Sequence, residues 1–278
     1  MLKRIIAIFV FLVLIQPANA LCFNSSENAV KKVMFSQIKY ANAGDFDRFI
    51  STYDKKYVNA DGFDLDVYSK LVKDVWSTYS NIKYGLKIKD ISVNADEAVV
   101  KVTEYTNAAL EISKNYKGEL KSESDSIYYL RKTDGKWKVY SDSVVDETTS
   151  MLYGEAKNLD ITLKVPNVIE PDTEYTASLE FQTPKDMVAI ASITSDMVEY
   201  PQKQSKEVYR AMPEDNILER LFTSNNEKHN EYIVASIGLT QTDVCDLSIK
   251  MSLTGFGYVV KRVNVVSKPK ESANEQKK

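Results

Sequence analysis

Glu104 is the residue in this sequence that is best placed to do chemistry. It shares strand parity with Val100, Val102 and Ala108, so its carboxylate is expected on an otherwise apolar face. A carboxylate kept in an apolar cavity has a raised pKa and can accept a proton near neutral pH. Asp142, on the last strand of the same region, is the candidate counterpart. The competing interpretation leaves Glu104 solvated beyond the covered part of the sheet, which is the commoner environment of a carboxylate.

Other catalytic chemistry finds little support in the sequence. His229 is the only histidine and lies in the polar stretch 225–230, where a solvated loop residue is the simplest interpretation. A histidine-based triad or a multi-histidine metal site is therefore excluded within one chain. The nine glycines are scattered and form no phosphate-binding loop. The sequence predicts neither a metal site nor a cofactor.

Three helical segments come first among the elements that would position Glu104. Apolar residues at helical spacing predict a first helix over residues 26–43, capped by Ser25 or Ser26 and ended by Gly44. Asp45 begins a short second helix. Asp64 or Asp66 begins a third one.

Alternating apolar residues then predict antiparallel strands from Tyr84 to Asp146. A one-residue shift in the alternation between Ile88 and Ile91 indicates a β-bulge. We expect turns at 94–97 and 133–135, a polar hairpin tip at 113–125, and a last strand from Trp137 to Val145.

This order resembles the nuclear-transport-factor-2-like (SnoaL-like) superfamily over residues 23–150. The features that carry the resemblance are the long first helix, Ala43-Gly44-Asp45-Phe46-Asp47, and the strand Asp134-Gly135-Lys136-Trp137-Lys138-Val139. The resemblance implies an α+β cone, with helices packed in a curved antiparallel sheet. It also implies a small apolar ligand inside the cone and a homodimer through the outer face of the sheet. Some members carry an acidic base and a tyrosine that stabilises an enolate.

The resemblance suggests which residues would surround a ligand in the cone. Thr106 lies beside Glu104 with the same strand parity. Four tyrosines of the helical region would line the mouth, although packing between the helices and the sheet explains them equally well: Tyr53, Tyr57, Tyr68 and Tyr79.

The second half of the chain has a different residue pattern. Residues 151–158 are interpreted as a linker, and residues 157–267 as short strands with proline- and glycine-marked turns. This pattern resembles a bacterial immunoglobulin-like β-sandwich, without the internal Cys…Trp…Cys of antibody domains. Within it, Pro213 is expected to begin a short helix and Thr254-Gly255 to form a hairpin turn. Residues 268–278 are expected to be a disordered tail.

The first twenty residues predict a signal peptide. Lys3 and Arg4 precede the apolar run Ile5–Ile15, and Ala18-Asn19-Ala20 has the form of a cleavage site. The run is shorter than the roughly 20 residues that a spanning helix needs. We therefore expect cleavage near Ala20 and a periplasmic or secreted mature protein that does not span a membrane.

Two cysteines, Cys22 and Cys245, permit a disulfide in an exported protein. Alternation around Cys245 instead favours a buried free thiol. Leu21 directly before Cys22 departs from a lipidation motif, which has a small residue at that position.

Net charge and composition limit the classes of function that the sequence allows. The net charge is -3, and acidic residues outnumber basic ones in the second half, so nucleic acid is an unsuitable partner. We expect an exported, non-catalytic protein whose cone binds a small apolar ligand or a protein partner. The alternative is an isomerase- or dehydratase-like enzyme that uses Glu104 or Asp142.

Overall fold

The computed structural model describes residues 18–113, 116–203, 205–245 and 248–267. The predicted signal peptide up to residue 17 and the predicted tail at 268–278 lie outside this part of the chain. We call Ala18–Gly154 the α+β half and residues 155–267 the β half. The elements in chain order are α1 (Ala18–Asn42), α2 (Phe46–Ile50), α3 (Leu65–Thr78), β1 (Lys83–Asn94), β2 (Glu97–Ser113), β3 (Tyr116–Thr133), β4 (Lys136–Gly154), a 3₁₀ turn (Glu155–Asn158), β5 (Thr162–Lys164), β6 (Val168–Ile169), β7 (Glu174–Glu180), β8 (Met187–Met197), β9 (Arg210–Ala211), β10 (Ile217–Thr223), β11 (Glu231–Cys245) and β12 (Ser248–Val265).

The helix boundaries follow capping chemistry, with one correction. Asp45 accepts a hydrogen bond from the backbone amide of Arg48, and Asp64 accepts one from that of Val67, so both side chains cap helices as predicted. The prediction that α1 starts at Ser25 or Ser26 is wrong, because the helix already includes Ala18. No proline or glycine between those positions interrupts it.

Strands β1 to β4 form an antiparallel meander. The predicted bulge is confirmed by a register shift between Ile88 and Asp90. Asp134 and Gly135 both have positive φ, which suits the tight turn of the β3–β4 hairpin. The predicted hairpin tip at 113–125 is wrong, because β3 already begins at Tyr116. Its polar residues reflect two strand faces that both carry polar side chains.

The helices cover one face of this meander, which confirms the α+β part of the predicted fold. Apolar side chains from α1, α3 and the sheet meet in one core, and their burial supplies the main stabilisation of this half. The core residues of these elements include Val30, Met34, Ala41, Val72, Val100, Val102, Leu130 and Val139.

In the β half, two sheets enclose a second core. A three-stranded sheet in the order β10-β7-β5 packs over β8, β11 and β12. Alternate residues of the facing strands point inward, as period-2 patterns require. The inward residues include Ala177 and Leu179 of β7, Ile193 of β8, and Ile233, Ala235 and Ile237 of β11.

The two halves share one continuous sheet, which the sequence did not predict. Strand β12 pairs antiparallel with β4, from Gly255 opposite Gly154 to Lys261 opposite Thr148. The resulting nine-stranded sheet has the order β1-β2-β3-β4-β12-β11-β8-β9, and its ninth strand, β6, pairs parallel with β12 outside this order. The interpretation of residues 151–158 as a linker is therefore wrong at its start, because Met151–Gly154 belong to β4. The 3₁₀ turn that follows leads from β4 toward β5.

Two local predictions in the β half are also wrong. Ile217–Thr223 is strand β10, paired with β7, and not a helix started by Pro213. Leu218 and Phe222 of β10 pack on the core, whereas Leu221 is exposed. Leu218 and Phe222 lie four residues apart, which is also the spacing of residues on one face of a helix. Thr254-Gly255 lie inside β12, beside a register shift at Leu239/Thr240, and do not form the turn.

Candidate functional site

A cavity of about 320 Å³ lies between the helices and the sheet of the α+β half. The helices contribute mainly apolar and aromatic side chains, and the sheet contributes most of the polar ones. A cavity of this size and composition is typical of small-molecule sites. Residues that line it include Met34, Gln37, Tyr53, Tyr68, Val72, Trp76, Tyr84, Leu86, Glu104, Tyr105, Thr106, Ser122, Ser124, Tyr128, Val144 and Glu147.

Glu104 lies in the wall of this cavity. Strand β2 directs it to the same side as the buried Val100 and Val102, and Tyr128 of β3 donates a hydrogen bond to its Oε1 over 2.8 Å. Burial raises the pKa of Glu104, and the hydrogen bond from Tyr128 opposes this rise. The carboxylate can accept a proton or bind a positively charged group within the cavity.

Gln37 of α1 faces the cavity with an unsatisfied amide. Its side chain is 4% exposed, and among the described residues its Nε2 has no hydrogen-bond partner. A buried donor without an acceptor costs roughly 1–3 kcal/mol. Because native structures rarely leave such a donor unsatisfied, its position at a cavity wall indicates where a bound ligand could supply the hydrogen-bond acceptor. Sequence reasoning missed Gln37, which sits among the apolar residues of the α1 stripe.

Asp142 does not line the cavity. Tyr57 donates a hydrogen bond to its Oδ2 over 2.6 Å and is itself only 1% exposed. Burial raises the pKa of Asp142 to about 6, the Tyr57 hydrogen bond opposes this rise, and the charge of Glu104 adds to it. The structure thus places both predicted carboxylates on the interior side of the sheet, with only Glu104 open to a ligand.

The predicted tyrosines take three different positions. Tyr53 and Tyr68 line the cavity, with their hydroxyl oxygens 3.0 Å apart. Tyr57 stacks edge-on against Tyr53 behind them and holds Asp142. Tyr79 packs elsewhere and donates to the sulfur of Met151. Thr106 lies in the cavity wall, on the face of β2 that carries Glu104.

Glu147 is a second cavity carboxylate that the sequence did not reveal. It lies on β4 beyond Val145, where the last strand of this half was predicted to end. Tyr232 of β11 donates a hydrogen bond to it over 3.2 Å. Burial raises its pKa, and the positive charge of Arg262 opposes this rise. A register shift at Val145 brings Glu147 to the face of β4 that carries Val144, so strict alternation along this strand does not report their shared position.

A buried ion pair next to this carboxylate joins the two halves. Arg262 of β12, only 1% exposed, donates to Asp61 over 2.5 Å and to Asn264 over 2.8 Å. Asn230 also donates to Asp61 over 2.7 Å. Asp61 sits in the turn before α3, so this network fixes that turn against the β half.

The remaining predicted features stay outside the cavity. His229 is exposed, with its Nε2 3.9 Å from Glu227. Among the described residues, no three His, Cys, Asp or Glu side chains are grouped so that they could hold a metal. The side chains of Cys22 and Cys245 lie outside the described part, so their pairing stays a prediction. In the described ranges, no helix combines the length and apolar character needed to cross a membrane.

The raised pKa of Asp142 predicts a pH dependence of stability. Because the folded chain holds this proton more tightly than the unfolded chain, stability should fall as the pH rises from about 4 to about 6. Asp142 should cause about 3 kcal/mol of this loss, and Asp142→Asn should remove that part while the parts due to Glu104 and Glu147, whose pKa values burial also raises, remain. Denaturant unfolding of both proteins at pH 4 to 7 measures the difference.

Asp125→Asn provides a control of opposite sign. The hydrogen bond from Lys89 lowers the pKa of Asp125, so this group contributes stability that is lost as the pH falls. If wild type and Asp142→Asn changed in parallel between pH 4 and 6, the assignment of a protonated Asp142 would be wrong.

The α+β half matches one protein-family model. Residues 32–151 match the C-terminal domain of the anti-sigma-I factor RsgI9, which is less than half of the chain. No curated protein gives a significant match.

Solved structures resemble the N-terminal part of the chain, and several are described as NTF2-like. Bdellovibrio bacteriovorus Bd1075 is 18% identical over 42% of this chain, with a TM-score of 0.35, and the match covers only 39% of that protein. A putative dehydratase of the NTF2-like family from Streptomyces avermitilis is 15% identical, over 44% of this chain and 96% of the other, with a TM-score of 0.36. An NTF2-like protein with a cystatin-like fold from Novosphingobium aromaticivorans is 13% identical, over 46% and 85%, with a TM-score of 0.37.

Proposed function

We propose that this chain is an exported binding protein that holds a small molecule in the cavity of its α+β half. The observation that carries the proposal is the buried amide of Gln37, a residue of the cavity lining whose Nε2 has no partner among the described residues. A ligand with a hydrogen-bond acceptor would satisfy it. The family match names an anti-sigma factor, and a regulatory binding role for this half agrees with that name.

The residues of the cavity wall change the class of ligand that we expect. The sequence-based prediction was an apolar molecule, but Glu104 and Glu147 place two carboxylates around the cavity. The aromatic lining still favours an apolar or aromatic body. A ligand with both an apolar body and polar groups fits these surroundings better than a hydrocarbon does.

An acid–base enzyme is the second candidate, favoured by the contact of Glu104 with Tyr128. A carboxylate with a raised pKa and a neighbouring phenol is a suitable pair for abstracting a proton next to a carbonyl. Asp142 is held by Tyr57 outside the cavity, so such chemistry would depend on Glu104. Turnover that Glu104→Gln abolishes would establish this function in place of simple binding.

We infer that the β half is an immunoglobulin-like sandwich that presents the α+β half. Its two sheets around one core support this. Export rests on the signal-peptide pattern of the first twenty residues. The homodimer through the outer sheet face stays a prediction, which light scattering of the mature protein tests.

Replacing Gln37 with methionine should affect stability and binding in opposite directions. The change removes an unsatisfied buried donor, so the unliganded protein should gain about 1 kcal/mol in unfolding free energy. The same change removes the donor that a ligand would use, so affinity should fall about tenfold, which corresponds to about 1.4 kcal/mol. Native mass spectrometry of protein purified from its host measures the retained ligand, and denaturant unfolding measures stability.

Gln241→Met is the matched control, because Gln241 is an exposed glutamine on β11. It should change neither quantity. A protein isolated without any ligand, together with a Gln37→Met variant that is no more stable than wild type, would contradict the proposal.

A further inference from the structure

We propose that the cavity of the α+β half takes a small organic cation, an amine carried on an aromatic or apolar body. This inference rests on the proposed binding function and names its ligand class. It follows from the charges at the cavity wall, the aromatic lining, and the position of the unpaired amide of Gln37.

The charged side chains in the described cavity lining all have the same sign. Of the described residues that line it, Glu104 and Glu147 are acidic and none is basic. Asp142 lies close enough behind the wall for its charge and that of Glu104 to influence each other. Arg262 supplies a positive charge near Glu147, but it already forms an ion pair with Asp61.

Buried carboxylates without enough counter-charge are costly, and a bound cation would reduce that cost. Burial is the leading cause of the raised pKa of both Glu104 and Glu147. An ammonium group between them would favour their ionised forms and replace lost solvation with direct hydrogen bonds. An anionic ligand would add to the repulsion.

The aromatic wall suits the rest of such a ligand. Tyr53, Tyr68, Trp76, Tyr84 and Tyr128 line the same cavity. Aromatic faces attract organic cations, and their apolar area packs against an aromatic body.

Gln37 adds one further requirement. It projects from α1, on the helical side of the cavity, whereas Glu104 and Glu147 project from the sheet. A ligand that holds its ammonium group at the sheet and a hydroxyl or carbonyl oxygen toward α1 would satisfy all three side chains.

Calorimetry with matched probes tests the charge requirement on the full mature chain. The panel contains phenethylamine, tyramine and tryptamine, and for each the isostere in which a methyl group replaces the ammonium group. We expect at least one amine to bind at least tenfold more tightly than its isostere. If no amine binds better than its isostere, the proposal is overturned, and isosteres that bind would leave the binding function of the cavity intact.

Variants of the two carboxylates then locate the preference. Glu104→Gln and Glu147→Gln should each reduce the preference for the amine over its isostere about tenfold, while affinity for the isostere stays unchanged. The unchanged isostere affinity shows that the variant is folded. Glu123→Gln is the control, because Glu123 is exposed on β3 beside Ser124 of the cavity wall. An equal loss of preference in Glu123→Gln would assign the effect to general surface charge and overturn the proposal.

Discussion

Replacing Arg262 with methionine is expected to lower the free energy of unfolding by about 3–5 kcal/mol. The guanidinium is buried and donates to Asp61 and Asn264, and its charge acts on the raised pKa of Glu147. Methionine fills similar space but leaves the Asp61 carboxylate buried without its cation. Denaturant unfolding at neutral pH measures the loss.

Arg48→Met is the matched control, because Arg48 forms an ion pair with Asp45 over 2.9 Å but is 69% exposed. Exposed pairs contribute about 0–1 kcal/mol, so this variant should be nearly as stable as wild type. The double variant Asp61→Asn/Arg262→Met should recover part of the loss, since it also removes the stranded charge. Equal losses in Arg262→Met and Arg48→Met would show that the buried pair does not stabilise the junction of the two halves.

Replacing Gly154 with alanine should be similarly severe. Gly154 ends β4 with φ 57° and ψ -136°, a backbone conformation that residues other than glycine rarely adopt. A Cβ there would also collide with the carbonyl oxygen of Thr254, and backbone cannot move aside as a flexible side chain can. We expect a loss of about 3 kcal/mol or more, combining about 1–3 kcal/mol of backbone strain with the collision.

Gly135→Ala separates strain from collision. Gly135 has φ +74° in the β3–β4 turn, and a Cβ there would meet nothing within 4 Å. It should lose only about 1–2 kcal/mol, the usual cost of a left-handed residue. Thermal unfolding of both variants compares the two. Similar losses would mean that the approach of Thr254 to β4 is not a tight constraint.

The α+β half was largely predictable because its signals are local. Asp45 and Asp64 cap helices through contacts that span three residues, and the shift at Ile88 appears directly in the alternation. The strand that carries Glu104 was identified by parity alone. In contrast, β10 has four-residue spacing on a strand, so local periodicity pointed to a helix. Its pairing with β7 depends on distant contacts that override such spacing.

The candidate site was predictable only in part, for the same reason. Glu104 could be identified because its own strand shows an apolar face. Glu147 could not, because its burial depends on Tyr232 and Arg262, which lie far along the chain. The unsatisfied amide of Gln37 is a property of the folded cavity that no pattern in the sequence reports.

The pairing of β4 with β12 means that the two halves cannot be separated cleanly. A fragment that ends at residue 151, where the family match stops, would cut through this pairing and remove the partner of Thr148–Met151. The bared backbone would be a template for self-association between fragments. In the intact chain, β12 pairs with this edge of β4. The β half therefore also covers a strand edge that would otherwise be open to aggregation.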